Sequence, residues 1–381
     1  MSVEDLSESP ILALLQRIFE MRERGEPVLG LHVGEPDFPT PDGICQAALR
    51  SMQQGHTHYV ASQGLPVLRE AIANDLSTRH HLAAGAKDVV ILPAKFAVYA
   101  TFLATLPGGG EALVPNPSYL FEQPAELVGG RVRYVPLQPD FSLDFDALAE
   151  AVTPRTRCLV LVTPSNPTGH VLTREEARTA AEFARDHHLT LVSDETYESL
   201  VYEGHHVAPA SLADAGAPVV TIGSFSKAFS MTGWRAGYAV APEPIRSRLV
   251  KIIEHTLTCV PPFIQEACAW AIQNATVEEE RFRAEFRRRR DHLVRRLREL
   301  PGLTTALPMG AFYVFPRYAV EIDSVPFCER LLAEEHLAVV PGRAFGPQGE
   351  HHVRISYSSP IEALDDGVDR LARFLAHHPA K

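Results

Sequence analysis

The sequence predicts an α/β fold, a doubly wound, mostly parallel sheet in one large domain accompanied by a smaller α+β domain. Two observations carry this. Strand-length apolar runs such as CLVLV, LTLVS and VVTI end in polar turns and alternate with segments of helical spacing. At 381 residues, 45% apolar and 22% charged, the chain is also long enough for one large core and a second, smaller one.

Taken in order, ILALLQRIFEMRERG (11–25) has apolar residues at helical spacing and stops at Gly25. In VLGLHVGEPDFPTP, Gly34 with Pro36, Pro39 and Pro41 dictates an extended, turning connection that lets backbone approach a ligand closely. PDGICQAALRSMQQG reads as a helix ending at Gly55, and a loop containing Tyr59 leads into the next. DVVILPAKFAVYATFLATLPGGG predicts a strand, a tight turn and an apolar helix. The amides at such a helix start attract phosphate, and Ala94 and Lys95 can supply them although Pro93 cannot. ALVPNPSYLFEQPAELVGGRVRYVPL alternates again, with Tyr119 just past a Pro-Ser turn. CLVLVTPSNPTG is a strand whose turn carries Asn166, in the crevice region where α/β sheets take ligands. After the helix EEARTAAEFARDHHL, LTLVSDETYESLVYEG gives a strand ending in Asp194 and Tyr197. VVTI is a further buried strand, followed by SFSKAFSMTGWRAGY, and CVPPFIQEACAWAI starts a helix. EEERFRAEFRRRRDHLVRRLREL predicts a long exposed helix linking the domains; GLTTALPMGAFYVFP and HLAVVPGRAFGPQGEHHVRISYSS supply strands of the smaller one.

With 36 Lys and Arg against 47 Asp and Glu, the net charge of -11 argues against nucleic acid or anionic membrane as partners. The basic run Arg287 to Arg290 reads as a solvated helix face among acidic neighbours. MSVEDLSESP lacks the features of a signal peptide, and no apolar run is long enough for a bilayer. Five cysteines without a CxxC pair read as reduced thiols, which predicts a cytoplasmic location. The 17 histidines, mostly in HH or HxH pairs, read as surface decoration without the spacing of a metal site.

Lys227 is the residue around which the chain makes chemical sense. A lysine amine in a dry pocket or beside other cations can bond covalently to an aldehyde. Ser224, Ser226 and Arg235 lie near it in sequence and could hold a phosphate on the same molecule, which points to pyridoxal phosphate. Each residue alone has a plainer reading. A lysine after a strand is usually solvated, a strand-end Asp caps or turns, and Asn-Pro forms turns.

SFSKAFSMTGWRAGY resembles the cofactor-lysine signature of fold-type I pyridoxal-phosphate enzymes, within the class I and II aminotransferase family. Similar motifs run in order from about Gly30 to Ser359. The resemblance implies a fold-type I aminotransferase fold, in which residues 43–280 form the large cofactor-binding domain. Residues 1–42 and 281–381 would form the small domain from both chain ends. It implies Lys227 as the covalent and proton-moving residue and Asp194 as partner of the pyridine nitrogen. Asn166 and Tyr197 would share the phenolic oxygen, Tyr119 would stack on the ring, and Ala94, Lys95, Ser224, Ser226 and Arg235 would hold the phosphate. Arg354, in VRIS, would clamp the substrate carboxylate with Gly34 and Asn166, and Tyr59 would complete the site of the neighbouring subunit in a homodimer. The expected reaction is ping-pong transfer of the α-amino group of an L-amino acid to a 2-oxo acid. Lys95 suits a dicarboxylate such as aspartate or glutamate; Phe96, Tyr99 and Phe121 suit an aromatic or large apolar side chain. Carbon–sulfur β-lyases, cyclases and decarboxylases of the same fold use the same lysine and are the alternative. A transcription regulator would need a fused basic DNA-binding module, and no such region is found.

Overall fold

In the computed structural model, which describes residues 10–214 and 217–379, seven of the apolar runs form one sheet. They are β1 (Val89–Ile91), β2 (Glu111–Asn116), β3 (Arg131–Pro136), β4 (Thr156–Val162), β5 (Thr190–Asp194), β6 (Val219–Ser224) and β7 (Gly237–Val240). Their order is β1-β7-β6-β5-β4-β2-β3. Neighbours from β6 to β3 pair in parallel, and β7 alone runs against both of its neighbours. Parallel strands need both faces covered. Val160 and Val192 accordingly join one core with Phe102, Leu249 and Ile253, whereas Leu159 and Leu191 join another with Ala177, Ala180 and Ala184.

Helix starts follow from local chemistry. Thr173 opens the helix Arg174–Asp186 by accepting the Glu176 N–H at 3.1 Å, while Glu176 accepts the Thr173 N–H at 2.8 Å. The strand register then places the site. Val162 lies opposite Asp194, and Asp194 opposite Ile222, so β4 and β5 end level and β6 runs two residues further, to Ser224.

A further core joins Leu31 to Phe282, Phe286, Tyr313, Leu331 and Phe374. Leu29–Gly30 pairs in parallel with Leu337–Ala338, and Val353–Ser356 lies between Tyr313–Val314 and Val340–Pro341. The boundary expected at 280 falls inside the helix Thr276–Arg298. The acidic start of the chain, residues 1–9, lies outside the described residues.

That helix is not the exposed rod the charge pattern suggests, because it buries Phe282, Phe286, Leu293, Val294 and Leu297. Its basic run is divided. Arg287 and Arg288 face solvent, but Arg289 and Arg290 are only 5% and 2% exposed. Arg289 donates to Asp37 at 2.8 Å and lies over the Phe38 ring; Arg290 donates to the Pro308 carbonyl at 3.0 Å and lies over Tyr202. A planar guanidinium can stack on rings while its edge donors are satisfied, which is how these two are accommodated. Arg290→Ala is therefore expected to cost about 3 kcal/mol in chemical denaturation, through a lost donor and a void, against about 0.5 kcal/mol or less for Arg287→Ala.

The histidines also depart from expectation. The side chains of His80 and His206 are 6% and 2% exposed, facing Glu198 and Glu195. A buried imidazole is tolerated where a carboxylate pairs with it. All five cysteines are free thiols, with Cys158, Cys268 and Cys328 buried. Among the described residues no helix is long and apolar enough to cross a membrane, and no three His, Cys, Asp or Glu residues stand together as metal ligands.

Candidate active site

β6 ends at Ser224, whose hydroxyl accepts the Ser226 N–H at 3.2 Å and starts the short helix Phe225–Ala228. Phe225 and Ala228 sink into the core, and Lys227 reaches across to donate from Nζ to the Gly34 carbonyl at 2.5 Å. Gly34 leaves room for Tyr313, since a Cβ there would stand 2.4 Å from the Tyr313 hydroxyl and displace it. Hydrogen bonds strap the following residues to the lysine loop: Thr40 to the Ser230 carbonyl at 2.6 Å, Trp234 to Thr40 at 3.1 Å, Ser230 to the Phe38 carbonyl, and Thr232 to Glu35.

Burial pulls the Lys227 amine from 10.5 down to about 8; Arg354 and Arg235 add to the shift, while Glu35 and Asp194 oppose it. In the apoprotein, the rate at which Lys227 reacts with an amine-labelling reagent should rise with pH and reach half its maximum near pH 8, followed by peptide mapping. A half-maximum near the ordinary 10.5 would show that the amine is not desolvated. The folded-state value lies below that of the unfolded chain, so the unfolded state binds more protons between them. The lysine thus costs stability below about pH 8, and the cost lifts as pH rises from there toward 10.5.

Asp194, the last residue of β5, is 7% exposed, and its Oδ1 accepts the Thr196 N–H at 3.1 Å. Burial raises its carboxyl above the usual range, with Thr196 holding it back, Glu195 pushing it further and Lys227 opposing. Tyr197, in the turn beyond, shares a 2.8 Å hydrogen bond with the Tyr313 hydroxyl. Asn166, past the end of β4, accepts at Oδ1 from Arg354 Nη1 at 3.1 Å. Arg354 is 5% exposed, donates from Nη2 to the His32 carbonyl at 2.6 Å, and lies over the rings of Tyr313 and Phe345 at 4.4 and 5.0 Å. Its Nε has no hydrogen-bond partner, and no carboxylate lies at ion-pair distance among the described residues. Tyr119 sits at the same end of the sheet, where burial and then the charge of Asp194 push its phenol up to about 12.

At the start of the helix Ala94–Thr105, the Pro93 carbonyl takes the Ala97 N–H at 2.8 Å, leaving the amides of Ala94, Lys95 and Phe96 without intrahelical acceptors. Pro93 precedes these three, so its missing N–H removes none of them. Gly237 keeps the approach close, since a Cβ would stand 2.9 Å from the Ala94 nitrogen. Arg235 holds a left-handed φ of 57° and donates to the Thr232 carbonyl at 2.8 Å. Together with Ser224 and Ser226, these are the donors a phosphate dianion needs.

Two expected residues stand apart. Tyr59 is 86% exposed and takes no part in this chain's own cluster. Phe121 is fully buried, packed edge-on against Tyr119 at 5.9 Å, so it backs that ring instead of lining a pocket. Tyr313 and His32 are additions that no local signal in GAFYVFP or LGLHV singles out, because their roles depend on Tyr197 and Arg354, far away in sequence.

Residues 26–371 match the family described as aminotransferase class I and II. An aspartate aminotransferase of Pyrococcus abyssi is 39% identical over 372 residues, 95% of each chain. The aromatic-amino-acid aminotransferase 2 of Thermococcus litoralis is 38% identical over 387 residues, 98% of each. The solved structure of the aspartate aminotransferase from Thermus thermophilus with maleate superimposes with a TM-score of 0.93, at 36% identity, over 98% of this chain and 99% of that one.

Proposed function

This chain belongs to the class I and II aminotransferases, and from that membership we propose that it moves the α-amino group of an L-amino acid to a 2-oxo acid, with pyridoxal 5'-phosphate as cofactor. The observation that carries the substrate class is Arg354. A buried guanidinium without its anion is costly, and an α-carboxylate supplies that anion through two parallel hydrogen bonds.

The cofactor fits donors already in place. The amides of Ala94 and Lys95, the hydroxyls of Ser224 and Ser226, and Arg235 suit its phosphate. Asp194 suits the ring nitrogen, Asn166 and Tyr197 the phenolic oxygen, and Tyr119 the ring face. When bound, pyridoxal phosphate supplies an aldehyde for amines and an electron sink for the charge left at the substrate Cα. Lys227, whose amine burial makes easier to deprotonate, would hold the aldehyde carbon and, once the substrate amine has displaced it, would be free to take and return the proton at Cα. Asp194 would set its carboxylate against the ring nitrogen and favour its protonation, and Arg354, Asn166 and Gly34 would hold the substrate carboxylate with Cα toward Lys227. A second 2-oxo acid reverses the steps, giving ping-pong kinetics.

The donor is aspartate or glutamate, or an aromatic amino acid. Relatives at similar identity bear both names, and one was solved with a dicarboxylate. Tyr59, projecting from the surface, is read as completing the neighbour's site in a homodimer. Residues 1–42 and 281–381 are read as the small domain against 43–280, and the free thiols support a cytoplasmic location. The experiment is a single-turnover absorbance measurement on cofactor-loaded protein with L-aspartate, L-glutamate, L-phenylalanine and L-tyrosine in turn. One equivalent of the matching 2-oxo acid names the donor. Release of ammonia, thiol or carbon dioxide in its place would assign a lyase or decarboxylase.

A further inference from the structure

Directly behind Asp194 lies a buried group of charges that the chemistry above does not use. Successive residues of a strand point to opposite faces. Asp194 faces the site, and Glu195, whose N–H extends the β5–β6 pairing to the Ile222 carbonyl at 2.8 Å, faces the other way. There its Oε2 meets His206 Nε2 at 2.7 Å, with side chains 3% and 2% exposed. Glu195 Oε1 and His206 Nδ1 are buried and have no other partner. One turn on, Glu198, whose N–H bonds the Glu195 carbonyl at 3.0 Å, lies 3.0 Å from His80 Nε2, at ion-pair distance but out of hydrogen-bonding alignment. The two imidazoles meet edge to face at 5.1 Å. Around them stand Asp75 and Arg79 from the helix Pro66–His80, Glu279 from Thr276–Arg298, and Tyr238 from β7. Arg79 donates to Glu279 at 2.8 Å and lies 3.5 Å from Glu198.

The turn 194–198 therefore carries Asp194 and Tyr197 on its front and Glu195 and Glu198 on its back. We propose that the Glu195–His206 pair is the positioning device for Asp194, fixing the strand-end turn from behind so that the Asp194 carboxylate meets the cofactor ring nitrogen. The pair has the features such an anchor requires. It is short and shielded from water, and neither Glu195 Oε1 nor His206 Nδ1 has a hydrogen bond of its own. Without His206, the Glu195 carboxyl would be buried with no hydrogen-bond partner, a costly state that is relieved when the turn opens toward water. That opening loosens the backbone immediately next to Asp194.

The proposal rests on the reading of Asp194 given above, and the test separates the two. The holoenzyme is loaded with pyridoxal phosphate labelled with nitrogen-15 in the ring, and the ring-nitrogen shift is followed with pH alongside kcat and KM. In the unaltered enzyme the nitrogen stays protonated through the neutral range, and in Asp194→Asn it does not. In His206→Leu it is expected to lose its proton at least one pH unit lower than in the unaltered enzyme, with kcat reduced about tenfold and KM changed less than about threefold. His206→Gln, which keeps an N–H for Glu195, recovers most of both. Should His206→Leu not fold, Glu195→Asp, one carbon shorter and drawn off the imidazole, is measured in its place with the same expectation. A shift unmoved by Asp194→Asn removes the reading of Asp194 and the proposal with it. A shift moved by Asp194→Asn but unmoved by His206→Leu or Glu195→Asp, even with lowered thermal stability, overturns the proposal alone.

Discussion

Lys227→Ala is expected to lower turnover by about ten-thousandfold or more while leaving the fold intact. The change removes both the covalent attachment and the proton carrier at Cα, and none of the groups that Lys227 meets around Gly34 replaces them. Gly34, Tyr197 and Arg354 offer no free amine, and the phenols nearby are pushed up by burial, so they hold their protons at neutral pH. The fold persists because the segment that Lys227 touches through the Gly34 carbonyl is also held by Thr40, Ser230, Thr232 and Trp234. Steady-state turnover with thermal unfolding of the same sample checks both halves. Retention of more than about a tenth of the activity would take Lys227 out of the mechanism.

Arg354→Lys should raise KM for the amino acid about a hundredfold and lower kcat far less. An ammonium cannot offer two parallel N–H groups to a carboxylate, nor lie flat over Tyr313 and Phe345. The loss is about 3 kcal/mol, in line with a buried charge-assisted pair. It falls on KM because the carboxylate is held alike before and during proton transfer. Steady-state kinetics with the donor named by the single-turnover experiment decides it. An unchanged KM would mean that the substrate carboxylate is bound elsewhere.

The candidate site is legible in the sequence as motifs that resemble those of the family, and most of its residues lie where strands end. Asn166, Asp194 and Lys227 each follow an apolar run, and the parallel register of β4, β5 and β6 brings the ends of the three runs to one edge of the sheet. Arg354 came from a strand motif, and its burial against Asn166 and His32 joins segments 188 and 322 residues apart. What was misread shares one cause. Arg289 and Arg290 looked like solvated charges because Asp37, which receives Arg289, lies 252 residues away. His80 and His206 read as surface pairs because the local pattern does not show the carboxylates they meet: Glu198 lies 118 residues from His80, and Glu195, 11 residues from His206, reaches it only through the folding of the connection after β5. Polar residues buried by distant partners leave no periodic trace, whereas apolar ones do.

The placement of β7 has a consequence for how the molecule is made. β1 is an edge strand, and β7 is its sole neighbour in the sheet. A nascent chain that has emerged only as far as residue 236 holds the apolar run 89–91 with no strand to receive it. The docking that sets Gly237 beside the Ala94 amide joins segments well over a hundred residues apart, so it carries a loop-closure cost that local pairings do not. The phosphate cup therefore exists only where β1 and β7 are paired, so a change that unpairs β7 from β1 removes the cup along with the sheet's edge.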